Sequence, residues 1–271
     1  MLFLLVLSII PRAFRWMLLM NDGRRVRFKF IDSLKIMLVG ISLNLISPGG
    51  SGSILKSYFG YHWTGVKERM ISVSFTDKLI AISSLGIFAM VAYSISHKLH
   101  NLYVFIFSTI LFVLVVKPSI YENLRQIRYL QKWADPIKKR INISSLIKNL
   151  DFSTGVIFST MILSIFAWSI DFLLLYYSFH VTNVNVDLAE VFQHGAILKL
   201  GKLFPFTLSG LGSDELIMVF LFASSDSMYS QILIAALIYR LVSMILPALV
   251  GISVLSTTRS LSSWNGDPTR D

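Results

Sequence analysis

Four stretches of this chain, residues 73–95, 102–116, 156–181 and 232–255, are each long and apolar enough to cross a lipid bilayer or to come close to it. Crossing about 30 Å of hydrocarbon takes about 20 apolar helical residues. Hydrocarbon satisfies no backbone N–H or C=O, so spanning segments are helices or closed barrels, and runs this continuous are helices. With 54% hydrophobic and only 15% charged residues in 271, the chain reads as an all-α, polytopic membrane helical bundle. A soluble core of this size has no need of four such runs.

The formal net charge of +10 raises nucleic acid as a partner, but its placement argues against that. Residues 11–35 hold seven Lys or Arg against two acids, and residues 118–150 again seven against two. The short connections at 96–101, 182–187 and 223–230 hold Lys98 or no cation. This asymmetry is the positive-inside pattern, so 11–35 and 118–150 are expected on the cytoplasmic side of the cell membrane. Basic clusters at that surface attract anionic lipid headgroups. Membrane lipids, anionic ones foremost, are therefore the expected partners, and nucleic acid is not.

The chain has no cysteine, so it has neither disulfides nor thiolate metal sites. Its start, MLFLLVLSIIP, lacks the basic flank of a signal peptide. Ten helical residues cover roughly 15 Å, half of the hydrocarbon, so this start reads as the tail of a span or as an interfacial segment, with the former favoured. From Arg12 to Lys35, arginines interleave with Trp16, Phe28 and Phe30. Such a stretch is either a helix lying in the cytoplasmic interface or a plain basic connector.

Two breaks interrupt the apolar pattern: NLISPGGSGSILK at 44–56 and LGKLFPFTLSGLGSDE at 200–215. Non-helical backbone at membrane depth survives only when buried in protein or lining a wet cavity. Counting sides from the loop charges, each break is the tip of a re-entrant broken-helix hairpin, and the two enter from opposite faces. That is the arrangement expected of an inverted repeat with a site near the midplane. The chain then divides, within a single integral membrane domain over 1–271, into a first half (about 1–117), a basic cytoplasmic linker (118–152), a second half (153–256) and a polar tail (257–271).

Charge inside the hydrocarbon costs about 2.5 to 3.5 kcal/mol per residue on insertion scales, so each ionisable group there needs a reason. Lys56, Asp77, Lys78, Asp171, Lys199, Lys202, Asp214, Glu215 and Arg240 lie in or beside apolar segments. Mutual pairing or snorkelling accounts for Asp77–Lys78, Asp171 and Lys199 as readily as function does. Lys56 and Lys202 stand beside the broken tips. The helix restarting near Ser53 has glycines before it and no acid in its first turn, which makes it a phosphate seat. The helix restarting near Ser213 carries Asp214 and Glu215, which satisfy the dipole themselves and repel an anion. These two acids are expected to hold Lys202 or Arg240, or to titrate as a gate.

Catalytic signatures are weak. The five histidines show no HExxH spacing, and Glu190 with His194 lacks a third metal ligand. No nucleophile elbow, P-loop or dinucleotide fingerprint is present. No catalytic residue, metal or cofactor is therefore assigned.

NLISPGGSGSILKSY followed by FTDKLI resembles the first signature of the lysylphosphatidylglycerol synthase transmembrane region, a flippase-like family of membrane proteins. There an Asn-containing apolar run leads into a Pro-x-Arg-x-Gly-Glu-x-x-Arg loop, and an acid–Arg pair opens a later span. FPFTLSGLGSDELIMVF followed by ALIYRL resembles the second signature, and Pro205, Gly210, Gly212, Glu215 and Arg240 fall on its positions. The resemblance covers about residues 33–252. The first signature departs: Gly50 stands for Arg, Ser53 for Glu, Lys56 for Arg, and Asp77–Lys78 for the acid–Arg pair. Lysine is a point charge where arginine is a bidentate fork, so the grip on phosphate is looser.

The resemblance implies a flippase or carrier of an anionic phospholipid or lipid-linked saccharide. Asn44, Pro48, Gly52, Ser53, Lys56, Lys202 and Arg240 would meet the substrate. Asp77, Lys78, Asp214 and Glu215 would form charge pairs or gates, and Gly210 and Gly212 the second tip. Larger relatives carry a soluble aminoacyl-transferase domain; none follows Arg259, so lysyl transfer is not expected. The alternatives are a membrane enzyme acting on a lipid headgroup and a non-transporting membrane partner of a glycosyltransferase.

Overall fold

The computed structural model describes residues 1–23, 28–47, 52–64, 67–96, 103, 105–106, 109–110, 152–201, 210–223 and 228–259. About 90% of the structure is helical, with no strand among the described residues. The first part of the chain gives α1 (Leu2–Asn21), α2 (Phe30–Ile46), α3 (Gly52–Thr64) and α4 (Lys67–Ser96). The second gives α5 (Thr154–Val181), α6 (Leu188–Gly201), α7 (Ser213–Phe222) and α8 (Tyr229–Arg240). A π-helical turn (Leu241–Ile245) then leads into α9 (Leu246–Arg259). Most of the expected span at 102–116, the linker at 118–150, the Pro48 loop, Lys202 and the end of the tail lie outside the described residues.

Four segments are long and apolar enough to cross a membrane: Leu2–Asn21, Arg69–Val91, Thr154–Val181 and Tyr229–Thr257. Three of them coincide with apolar runs evident in the sequence. The first corrects the reading of the N-terminus. α1 is a 20-residue helix that continues through Pro11, about 30 Å long and enough for a span. Pro11 gives up one backbone hydrogen bond, yet the helix goes on because packing against α5, α2 and α4 holds it. Arg12 and Arg15 therefore sit near the middle of a helix long and apolar enough to span, and not in a separate interfacial helix. Burial among acids of other helices makes that position tolerable.

The bundle is apolar on the outside. Leu2, Phe3 and Val6 of α1, Phe158, Ile162 and Phe166 of α5, and Leu237, Leu249 and Val250 of the last span all face outward. An exposed apolar surface this continuous is foreign to a soluble monomer and natural against lipid tails. Inside, the core divides in two. One part gathers Trp16, Leu19, Ile36, Met70, Ile80 and Ile157; the other gathers Leu5, Ile9, Phe88, Phe172, Phe179 and Phe222. On α1 the two parts meet between Ile9 and Ala13, where Arg12 lies, near the middle of the helix.

One face of the bundle is tied by polar contacts among helix ends. The Asn21 amide bonds the Phe28 backbone at 2.6 and 3.1 Å. Arg69 donates to the carbonyls of Leu19 (2.6 Å) and Asp22 (3.1 Å). The Asp22 carboxylate accepts from the N–H (2.6 Å) and hydroxyl (3.0 Å) of Ser153, which also caps α5.

α2 and α3 run antiparallel and in close contact. Gly52 abuts the backbone of Leu43 and Asn44, and Gly40 leaves just enough space for the Lys56 stem. α3 begins at Gly52, one residue before the expected restart, and the Gly52 N–H donates to the Ser47 hydroxyl at 2.8 Å. α6 and α7 form the second antiparallel pair, with Gly201 against Ile217 and His194 edge-on to Phe222. The entry to α7 turns through Gly210 (φ 74°) and Gly212 (φ 85°), a left-handed conformation that favours glycine. The described chain is thus twice a span, an antiparallel helix pair and a span.

α9 lies against α2 at backbone distance. A Cβ at Gly251 would run into the Leu38 carbonyl, and the Ser42 hydroxyl donates to the Ala248 carbonyl at 2.7 Å. Gly251→Val is expected to cost about 1–3 kcal/mol, because the collision is with backbone that has no rotamer to change. Ser42→Ala removes one hydrogen bond and is expected to cost about 1 kcal/mol. Thermal unfolding in detergent checks the order; equal melting temperatures for Gly251→Val and wild type would refute the close approach.

Candidate functional site

Arg12 and Arg15 are three residues apart, so on α1 they share a face with about 5–6 Å between their Cβ atoms. Each meets an aspartate from another span. Arg15 Nε donates to Asp77 Oδ1 at 2.6 Å, and its guanidinium also donates to the Ser164 hydroxyl at 2.7 Å. The second oxygen of Asp77 accepts from Lys56 Nζ at 3.0 Å. Lys56 reaches there from α3 past Met37 Sδ (3.4 Å), with its ammonium 5.4 Å from the centre of the Trp16 ring.

The other triad repeats this chemistry. Arg12 pairs with Asp171 Oδ1 at 2.8 Å, and Lys199 Nζ of α6 donates to Asp171 Oδ2 at 2.9 Å. Lys199 also donates to the Tyr239 hydroxyl of α8. Arg12 and Lys199 both stand over the Trp168 ring, 5.5 and 5.4 Å from its centre. In each triad one carboxylate holds an arginine on one oxygen and a lysine on the other. Lys56 is 2% exposed and Asp77 and Asp171 each 4%, so the charges are stabilised by one another and not by water.

Between the triads lies a cavity of about 300 Å³, lined by both of them together with Asn44, Lys78 and Tyr239. A third charged group sits beside it. Arg240 Nη1 donates to Glu215 Oε1 at 2.5 Å, and Nη2 pairs with Asp214 Oδ2 at 3.3 Å. Glu215 Oε2 accepts from the Gly212 N–H at 2.8 Å, which locks the acid to the first turn of its own helix. A Cβ at Gly210 would strike the Asp214 carboxylate, so that glycine keeps the turn and the acid compatible. Tyr239 and Arg240 are neighbours in sequence, yet one lines the cavity and the other holds the tip of α7.

The structure thus brings Asn44, Lys56, Asp77 and Lys78 to one cavity, and Asp214, Glu215 and Arg240 to one ion-pair group. Arg240 does not line the cavity. Lys56 is turned towards Asp77 and Trp16, one turn into α3. Gly52 and Ser53 open α3; Pro48 and Lys202 lie outside the described residues. Sequence reasoning missed Arg12 and Arg15. Their signal was present: two arginines one turn apart, bracketed by Ile9, Ile10, Trp16 and Leu18, complete a 20-residue apolar helix.

Removing a single member of a buried ion group leaves its partners uncompensated, which costs about 3–5 kcal/mol. Asp77→Ala is expected to lower the melting temperature in detergent strongly, Asp77→Glu much less. Replacing Arg15, Lys56 and Asp77 together by Met, Met and Leu is expected to recover most of the loss. A harmless Asp77→Ala would refute the triad.

No curated protein matches the chain. The family model described as the lysylphosphatidylglycerol synthase TM region matches residues 1–251. With four helices among the described residues long and apolar enough to cross a membrane, an apolar outer surface and a family model over nearly the whole length, the chain is an integral membrane protein belonging to the lysylphosphatidylglycerol synthase transmembrane-region family.

Proposed function

We propose that this protein is a flippase-type carrier that moves an anionic phospholipid or a lipid-linked saccharide between leaflets, with the headgroup passing through the cavity between the two triads. One observation carries the reading: a cavity of about 300 Å³, rich in cations, lies inside a bundle whose outer surface is apolar. A polar headgroup crosses hydrocarbon only along a polar path, and an ionisable residue at bilayer depth marks such a path by default. Lys56, Asn44 and Lys78 meet the headgroup from the first part of the chain, and Lys199 and Tyr239 from the second.

In this reading α2–α3 and α6–α7 are re-entrant hairpins entering from opposite faces, and the two halves form an inverted repeat. The order of elements supports this. So do the ends of α2 and α4, which meet the C-terminal end of α1, while α7 ends against Phe179 near the far end of α5. The Arg240–Glu215–Asp214 group is the gate: it fastens the α7 tip to the last span and must open for the pair to move. In this reading the C-terminal end of α1 and the basic stretch 118–150 lie on the cytoplasmic side of the plasma membrane.

The test is translocation in proteoliposomes, read as loss of dithionite-quenchable fluorescence from labelled phosphatidylglycerol or phosphatidic acid. Wild type is expected to move at least one of them well above the rate of empty vesicles. Lys56→Ala is expected to lower that rate at least tenfold. Glu215→Gln is expected to keep lipid binding while slowing movement. Vesicles holding folded protein that scramble no faster than empty ones would refute the reading.

A further inference from the structure

The register of the first helix pair gives a role to a residue that has no side chain. Resting on the carrier reading above, we propose that Gly40 is the positioning residue for Lys56: the bare backbone of α2 guides the lysine stem and fixes its ammonium at the cavity. Positions 52, 56 and 60 are four residues apart and share one face of α3. Gly52 meets Leu43 and Asn44 of α2, Lys56 meets Gly40, and Gly60 meets Ile36. Each step of four along α3 is thus a step of four back along α2, and at every level one partner is glycine. Small residues of this kind let helices in lipid approach closely. The central level differs from the other two. Gly52 faces backbone, and Gly60 faces the ends of Met70 and Ile36, but Gly40 faces the stem of a buried cation.

A Cβ at Gly40 would stand 3.3 Å from Lys56 Cβ, 3.6 Å from its Cγ and 2.9 Å from its Cδ. Three successive carbons therefore run along the glycine, which makes the contact a groove and not a point. A lysine stem has several rotatable bonds, and lying in a fixed groove removes most of that freedom. The far end of the stem has no slack with which to make room for a methyl group. Lys56 Nζ donates to Asp77 Oδ2 at 3.0 Å, approaches Met37 Sδ at 3.4 Å and stands 5.4 Å from the centre of the Trp16 ring. Met37 lies one turn before Gly40 on α2, and both line the cavity. The stem thus follows α2 from Gly40 towards Met37 and then turns to Asp77. Displacing Cδ displaces the ammonium two bonds further on, while Asp77 keeps its bond to Arg15 at 2.6 Å. Gly40 governs the lysine and leaves the α1–α4 contact in place.

Accessibility of the lysine reads its position directly. The purified full chain in detergent is treated briefly with acetic anhydride, and acetylation of Lys56 is quantified by peptide mass spectrometry. Lys56 is 2% exposed, so wild type is expected to remain largely unmodified there. Gly40→Ala is expected to raise Lys56 acetylation at least fivefold. Gly60→Ala disturbs the same helix pair away from the lysine and is expected to leave it protected. Titration of dioctanoyl phosphatidylglycerol and dioctanoyl phosphatidic acid adds the second readout. Gly40→Ala is expected to weaken binding several-fold when Lys56 is present and to add almost nothing in a Lys56→Ala background. Equal acetylation of Lys56 in Gly40→Ala and wild type overturns the assignment, as do additive losses of binding from the two substitutions. Should Gly40→Ala fail to fold, the Gly40→Ala, Lys56→Ala double variant decides. Recovery of folded protein supports the assignment, since the stem is then what the new methyl group strikes, and continued failure overturns it. Absence of binding of both lipids to wild type refutes the carrier reading instead, and acetylation then decides the role of Gly40 alone.

Discussion

The whole arrangement depends on neutralising two arginines in the middle of a membrane span. An isolated guanidinium at that depth faces a desolvation penalty that a single helix cannot offset. α1 meets it by placing Arg12 and Arg15 on one face, where two different spans each deliver an aspartate. Each aspartate keeps a second oxygen free for a lysine from a helix pair, so each triad draws on three separate elements. Five elements are fixed in this way around one helix: α3 and α4 through the first triad, α5, α6 and α8 through the second. Because the bundle has little hydrophobic driving force between helices in lipid, such polar contacts carry much of its specificity.

The same contacts decide what space remains. Each aspartate already meets an arginine on one oxygen and a lysine on the other, while those cations carry more N–H groups than the pairing uses. The polar part of the cavity lining is thus rich in donors, from Arg12, Arg15, Lys56, Lys78 and Lys199, set among apolar residues such as Met37, Ile41, Ile82 and Leu85. Acids that would compete are held elsewhere: Glu215 bonds the Gly212 N–H and Arg240, and Asp214 shares that arginine. The grouping of these charges is a property of the fold and not of any single helix.

Much of this was legible in the sequence because membrane folding magnifies a few signals. The spans at α4, α5 and α8–α9 follow from apolar length, and the breaks from the glycines at 49–52 and 210–212. Of the charged residues that stand out from their apolar surroundings, Lys56, Asp77, Lys78, Asp171, Lys199, Asp214, Glu215 and Arg240 lie in the cavity or beside it. Two things were not legible. Pro11 and the basic residues after it read as a span end, because local propensity weighs proline as a breaker and arginine as an interface marker. Only partners more than 60 residues away, Asp77 and Asp171, turn that stretch into the middle of a span. Nor does the sequence show which cation meets which acid. Asp77 and Lys78 are neighbours in the chain, yet Asp77 binds Arg15 and Lys56, because adjacent helical positions point in different directions.

The backbone-to-backbone seat of α9 on α2 has a mechanical consequence. α2 is one arm of the pair that bears Lys56, and α9 continues back through the π-helical turn to Arg240 and Tyr239. A shift of the first pair against α9 would therefore reach the tip of the second along the last span, by way of the Arg240 ion pairs with Glu215 and Asp214. The π-helical turn, where the α-helical hydrogen-bond pattern changes, is the joint in that linkage. Ser243 and Met244 within it line the cavity, so the joint itself touches whatever the cavity contains.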